Sequence, residues 1–252
     1  MKNTIDFNAD VGESFGAWTM GQDAALMPFL SSANIAAGFH AGDPATIEAT
    51  VALACSHQVA IGAHPSLPDL MGFGRRTMAI TPDEARQLVV YQASAVRGFA
   101  EAAGSRLHHV KPHGALYNMA AQDLVLSKAI VAAVRSLGDN LVLYVLSGST
   151  TEAIAREAGL RVACEVFADR RYEPSGALVS RRDPRALITD VEESIAHVTR
   201  MVREGVCLAI DGSRIPLEAD TVCLHGDQPE AVAFAQRLYA EFTALNIRIQ
   251  TM

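Results

Sequence analysis

Residues 5–13 read Ile5-Asp6-Phe7-Asn8-Ala9-Asp10-Val11-Gly12-Glu13. In an extended chain successive side chains point to opposite faces. Asp6, Asn8 and Asp10 therefore share one face, and Ile5 and Phe7 the other. The same division recurs downstream. Asn34, Ala36, Gly38 and His40 oppose Ile35, Ala37 and Phe39; Gly62 and His64 oppose Ile61 and Ala63. Glu165, Phe167 and Asp169 oppose Val162, Cys164 and Val166, and Cys223 and His225 oppose Val222 and Leu224. A parallel strand covered by helices on both sides is apolar on both faces. Here one face is apolar and the other is small or polar and ends in an ionisable group. Such strands line a polar interior. The fold class that follows is α/β, an irregular β/α (TIM-like) barrel of about seven strands whose upper interior is a site.

Outward from these strands, short apolar runs alternate with longer helical patterns. Strands are expected at 4–9, 33–39, 60–64, 107–111, 141–146, 162–167, 206–210 and 221–225. Helices are expected at 44–58, 82–103, 115–137, 150–158, 184–204 and 229–245. Pro44, Pro82, Pro184 and Pro229 suit first helical turns, and Asp43, Thr81 and Asp183 precede three of them as caps. Gly104, Gly138, Gly159 and Gly205 suit helix ends. The run 141–146 lacks the two-faced pattern. No linker or repeat divides the chain, so one barrel domain over residues 1–252 is expected.

The chain has 252 residues, half of them hydrophobic and 19% charged, which excludes global disorder. With 28 acidic against 21 basic side chains the formal charge is −7, and no Lys/Arg cluster stands out. Nucleic acid and anionic membranes are thus disfavoured as partners. No apolar run approaches the roughly 20 residues of a membrane helix, and residues 1–6 lack a signal-peptide apolar stretch. Cys55, Cys164, Cys207 and Cys223 form no C-x-x-C pair. A reducing cytoplasm fits best.

Ionisable residues gather just beyond strand ends: Asp10 and Glu13, His40 and Asp43, His64 and Asp69, Lys111 and His113, Asp169 and Arg170, His225 and Asp227. In a parallel barrel these six loops meet at one face. Singly, each pair reads equally well as structural: Asp10 and Glu13 could cap a turn, and His40 could sit beside the Asp43 cap. Six such pairs at equivalent ends point to a shared site. Two histidines and a carboxylate, such as Asp10, His40 and His64, could hold a divalent metal and leave positions open. No H-E-x-x-H spacing supports a metal, and the histidines could instead orient substrate or move protons. His57 is expected at the opposite end of the barrel, His197 on a solvated helix face, and His109 behind Lys111. Gly72-Phe73-Gly74-Arg75-Arg76 is a glycine-rich basic loop able to approach an anion. P-loop, G-x-G-x-x-G and G-x-S-x-G motifs are all missing.

Read in order, the motifs resemble those of the LamB/YcsF family. They are Asp6-Phe7-Asn8-Ala9-Asp10-Val11-Gly12-Glu13, Ala33-Asn34-Ile35-Ala36-Ala37-Gly38-Phe39-His40, Gly62-Ala63-His64-Pro65-Ser66 and Gly72-Phe73-Gly74-Arg75-Arg76. His109-Val110-Lys111-Pro112-His113-Gly114, Glu165-Val166-Phe167-Ala168-Asp169-Arg170 and Cys223-Leu224-His225-Gly226-Asp227 follow. The resemblance implies a seven-stranded barrel similar to the glycoside hydrolase/deacetylase fold. It also implies a part in ATP-dependent opening of 5-oxo-L-proline to L-glutamate, with subunits B and C of a 5-oxoprolinase as partners. ATP would then be a co-substrate bound with those partners. The family usually has cysteine where Ala9 and Ala37 stand, which argues against a cysteine nucleophile at either place.

Spacing and resemblance together make Asp10, Glu13, His40, His64, Lys111, His113, Asp169 and His225 the catalytic candidates. Asn8, Asn34, Arg75, Glu165, Arg170 and Asp227 are the substrate-binding ones. Asp10 or Glu13 is the expected general base, and Lys111 or Arg170 the anchor for a carboxylate or phosphate. Two other readings remain open: a metal-dependent deacetylase or amidohydrolase working without ATP, and a non-catalytic subunit that only binds substrate. All three are compatible with a homo-oligomer.

Overall fold

The computed structural model describes residues 3–225 and 230–252. Its strands are β1 (Thr4–Val11), β2 (Ser32–Ala36), β3 (Ala60–His64), β4 (Leu107–Val110), β5 (Val142–Leu146), β6 (Arg161–Phe167), β7 (Val206–Leu208), β8 (Arg214–Pro216), β9 (Thr221–His225) and β10 (Arg248–Ile249). Its helices are α1 (Asp23–Leu26), α2 (Pro44–Ser56), α3 (Pro82–Ala102), α4 (Gly114–Ala120), α5 (Leu124–Leu137), α6 (Thr150–Glu157), α7 (Val191–Glu204) and α8 (Ala231–Ala244). β1 to β6 and β9 are parallel neighbours, and pairing of β9 with both β6 and β1 closes a seven-stranded barrel. β10 pairs with the first residues of β1.

The seventh strand candidate, 206–210, does not enter the barrel. β7 pairs antiparallel with β8 as a separate hairpin. Two expected helices also change. The span 115–137 is two helices, because Asp123 accepts Val125 N and Leu126 N and starts α5 afresh. The span 184–204 becomes α7 alone, begun by Asp190, whose side chain accepts Glu193 N. Pro184 lies in the preceding loop, and Asp183 binds Arg185 rather than capping a helix. Pro229 lies outside the described residues. Elsewhere the caps behave as their chemistry dictates: Asp43 accepts Thr46 N, and Thr81 forms a reciprocal capping box with Glu84.

The outward faces of the strands make the core. Ile5, Phe7, Ala9 and Val11 are buried, and Phe7 meets Phe242 of α8 edge to face at 6.1 Å. The inward faces are polar. At the floor Asp6 accepts Ser31 Oγ at 2.6 Å, Ser32 Oγ at 2.7 Å and Tyr144 Oη at 2.9 Å, and also the Thr221 hydroxyl. β5 lacked the two-faced pattern because its inner residues are mainly apolar. Val142 and Tyr144 pack with Ala163 as a cluster separate from the main core. One storey up, the His109 ring lies stacked on Tyr144 with centroids 4.1 Å apart. A Cβ at Gly62 would come within 1.9 Å of His109 Nε2, so only glycine lets that ring cross the barrel.

His197 does not lie on a solvated helix face. It is buried, with its ring 5.9 Å from Tyr172, and burial pushes its imidazole down to about 4. No helix among the described residues is long and apolar enough to cross a membrane.

Candidate active site

The strand ends converge as the alternation requires. Asp10 ends the inward face of β1, His64 that of β3 and His225 that of β9, while Lys111 and His113 follow β4. All are buried. Lys111 is the hub. Its Nζ lies 2.9 Å from Asp10 Oδ1, 2.8 Å from Glu165 Oε1 and 3.0 Å from Cys223 Sγ. Burial alone would favour the neutral amine. Asp10, Cys223 and Glu165 outweigh it and hold the Lys111 ammonium well above its ordinary value. Burial would likewise raise the Asp10 carboxyl, but His64 and Lys111 beside it hold it well below the usual range. Asp10 is thus a poor general base and Lys111 a fixed positive charge.

Three of the residues expected to touch substrate lie beneath this hub. Asn8, Asn34 and Glu165 have no exposed surface. Asn34 Nδ2 donates to Asn8 Oδ1 at 2.7 Å and to Asp10 Oδ1 at 2.9 Å, while its own Oδ1 accepts His109 Nε2 at 2.8 Å. Asn8 Nδ2 donates to Thr221 Oγ1 at 2.6 Å. Glu165 accepts the Tyr117 hydroxyl at 2.7 Å, and burial, then Glu165, raises that phenol well above its ordinary value. A polar column therefore runs from Asp6 at the floor through Thr221, Asn8 and Asn34 to Asp10. Reading strand ends alone missed its lower members. The parity of Asp6 with Asn8, and of Thr221 with Cys223, carried the signal.

Beside the hub, Glu13, His40, His64 and His113 bring ligand-type atoms within 4.8 Å of one another. These residues form a candidate metal site, with Glu13 and His113 grouped with His40 and His64. Gly74 makes the approach feasible. Its φ is +64°, and a Cβ there would lie 2.8 Å from His113 Cδ2 and 2.9 Å from His40 Cβ. Burial, then the neighbouring histidines, push both the His40 and the His113 imidazoles well down.

On the opposite wall, His225 Nδ1 meets Asp169, and the His225 ring stacks on Phe167 with centroids 5.6 Å apart. Burial would raise Asp169, but His225 beside it keeps that carboxyl low. Nδ1–H donates to the carboxylate, which leaves the lone pair of the neutral ring on Nε2. The carboxylate thus fixes both the tautomer and the orientation of the ring.

Arg170 follows at the same end. Its guanidinium is buried and donates to Val179 O at 2.6 Å, and burial, then Arg181, lowers it to about 10. Arg75 lies over the Phe73 ring, 4.8 Å from its centroid. Two strand-end acids have structural roles. Asp43 caps α2 and accepts Gly16 N, and Asp69 binds Arg76 and Gly72 N. Asp227 lies outside the described residues.

Comparison with known proteins agrees with this architecture. The sequence model of the LamB/YcsF family matches residues 5–252. The chain is 56% identical over 250 residues to the 5-oxoprolinase A subunit of Bordetella parapertussis, covering 99% of each chain. It is 55% identical over 252 residues to the protein of that name from Methylococcus capsulatus, covering 100% of this chain and 97% of that one. The crystal structure of a lactam utilization protein from Thermus thermophilus superposes with a TM-score of 0.93 at 45% identity, covering 99% of this chain and 100% of the other.

Proposed function

The chain belongs to the LamB/YcsF family, and from that membership we propose that it is the A subunit of an ATP-dependent 5-oxoprolinase, opening 5-oxo-L-proline to L-glutamate. The names of its relatives support the substrate and the subunit role. The observation in the fold that carries the chemistry is the Asp169–His225 pair beside the cationic hub.

Hydrolysis of a lactam needs a water made nucleophilic, a carbonyl made electrophilic and a proton for the departing nitrogen. His225 Nε2 takes the proton from water as its oxygen attacks the carbonyl carbon. The same nitrogen then returns that proton to the amine as the C–N bond breaks. Asp169 holds the ring in the required tautomer and balances the imidazolium formed in between. Arg170 and Arg75 supply positive charge for the substrate carboxylate. Lys111 keeps Asp10 ionised and in place. A five-membered lactam is a stable amide, which accounts for coupling to ATP: transfer of its terminal phosphoryl group to the amide oxygen, with partner subunits B and C, releases ADP and makes the ring carbon electrophilic. Water addition and C–N cleavage then leave γ-glutamyl phosphate, which a second water converts to L-glutamate and phosphate. The reading takes residues 1–252 as one barrel domain. It places the chain in the cytoplasm, where four free thiols persist.

The test is L-glutamate release from 5-oxoproline and ATP by the chain, by the partner subunits, and by their mixture. Glutamate from the mixture alone supports the proposal. A silent mixture containing competent partners overturns it. The Glu13–His40–His64–His113 cluster favours a second reading, metal-assisted amide hydrolysis without ATP. Turnover by the chain alone, without nucleotide, would establish that instead.

A further inference from the structure

The histidine cluster holds a feature that the ring-opening chemistry leaves unused. His64 Nδ1 lies 2.7 Å from the Lys111 carbonyl oxygen, to which only an N–H can bond. In the neutral ring the lone pair is therefore on Nε2. His113 Nε2 lies 2.8 Å from the Phe73 carbonyl oxygen, which puts its lone pair on Nδ1. These two lone-pair nitrogens face each other across 2.9 Å. Lone pair against lone pair is repulsive, and a cation between them reverses the sign.

The surroundings indicate which cation. Glu13 Oε1 lies 3.9 Å from His113 Nδ1 and 3.3 Å from His40 Nε2, and all four side chains are buried. A proton on His64 Nε2 would serve His113 Nδ1 and Asp10 Oδ2 but would not account for the approach of Glu13 and His40. The Glu13 carboxylate and the His40 imidazole, with ligand-type atoms within 4.8 Å of the pair, call for an ion that takes several ligands. Both His64 and His113 have their second nitrogen tied to a backbone carbonyl, the outer-shell contact that orients metal-bound imidazoles.

We propose that Glu13, His64 and His113, with His40 as fourth ligand, bind a divalent first-row transition metal ion. Imidazole and carboxylate donors suit Zn²⁺, Fe²⁺ or Mn²⁺. Asp10 is left out of the set because its Oδ1 serves Lys111 and Asn34; its Oδ2, 3.2 Å from His64 Nε2, borders the site. His40 lies stacked on His113 at 3.8 Å with the rings nearly parallel, so its Nε2 reaches the ion by a turn of the His40 side chain. A bound ion of this kind polarises a carbonyl oxygen or acidifies a water.

The inference stands apart from the 5-oxoprolinase reading, and its test needs no turnover. Full-length protein without an affinity tag is stripped with a chelator and titrated calorimetrically with ZnCl₂ and with MnCl₂. One ion per chain and a raised melting temperature are expected for at least one metal. His113→Ala and Glu13→Gln should each weaken binding by more than the roughly 10–100-fold that loss of an outer-shell partner costs. His57→Ala, at an exposed helix end, should leave binding unchanged. Should the variants fail to fold, ¹⁵N spectra of the wild-type histidines decide: His64 Nε2 and His113 Nδ1 resonances must move on metal addition. Absence of stoichiometric binding, or binding indifferent to both variants, overturns the proposal in favour of a shared proton.

Discussion

His225 Nδ1 lies 2.9 Å from each of the two carboxylate oxygens of Asp169. A ring held this way cannot exchange its donor and acceptor nitrogens without losing a charge-assisted hydrogen bond. Replacing the carboxylate by an amide removes that constraint while keeping the shape. Asp169→Asn is expected to lower kcat of the assembled enzyme by about 10²–10⁴-fold, with little change in KM. Steady-state glutamate release measures it. A loss smaller than tenfold would mean that His225 is not the base.

Lys111 is enclosed by Asp10 and Glu165 with almost no exposed surface. Lys111→Met strands two buried carboxylates. Removing one partner of a buried ion pair costs about 3–5 kcal/mol, so the urea midpoint should fall accordingly. Adding Asp10→Asn to Lys111→Met should recover part of the loss. A single variant as stable as the wild type would refute the hub as described.

Thr221 donates its hydroxyl hydrogen to Asp6 and accepts Asn8 Nδ2, which turns Asn8 Oδ1 toward Asn34 and toward Lys111 Nζ at 3.4 Å. Thr221→Val keeps the volume but leaves the Asn8 amide and the Asp6 carboxylate each short of a partner. The expected cost is about 1–3 kcal/mol, restored by Thr221→Ser. Equal stability of the valine and serine variants would show the column to be energetically idle.

Acid should weaken the fold before the carboxylates titrate. Burial depresses His197 to about 4, and His109 is depressed as well. The unfolded chain, with histidine near 6.5, binds more protons than the native one in this window. Stability therefore falls as pH drops from about 6.5 toward 4. For His197 alone the limiting effect is about 3 kcal/mol. His197→Gln should flatten the slope of unfolding free energy against pH; an unchanged slope would contradict the depressed value.

Much of this was legible in the sequence, and particular residues show where legibility stops. The alternation Asp6, Asn8, Asp10 against Ile5, Phe7 identified a polar interior, and the bounds of β3 and β9 follow directly from composition. β5 was expected as a strand at 141–146, but its inward face could not be read because Val142 and the Tyr144 ring make a mainly apolar inner wall there, so its two faces look alike. The break at Asp123 was readable as a cap but lay inside a continuous apolar pattern. His197 looked solvated because its neighbours in α7 are charged; Tyr172, from a different segment, is what covers it. In the site, strand parity delivered Asp10, His64 and His225 to one end. It could not place the Phe73 carbonyl on His113, since that contact spans 40 residues and depends on the turn at Gly74. Nor could it separate Asn8 and Asn34, one storey down, from the residues above them.

The hydrogen-bonded interior also bears on how this barrel responds to temperature. Barrels of this kind are usually filled with layers of branched aliphatic side chains. Unfolding exposes that apolar area at about +0.45 cal/K/mol per Å², whereas polar area contributes about −0.26. With Asp6, Asn8, Ser32, Asn34, His109, Glu165 and Thr221 in place of aliphatic layers, the heat-capacity change should be smaller than for an aliphatic barrel of equal length. The stability curve is then flatter, and resistance to cold and to heat falls away more gradually on either side of its maximum.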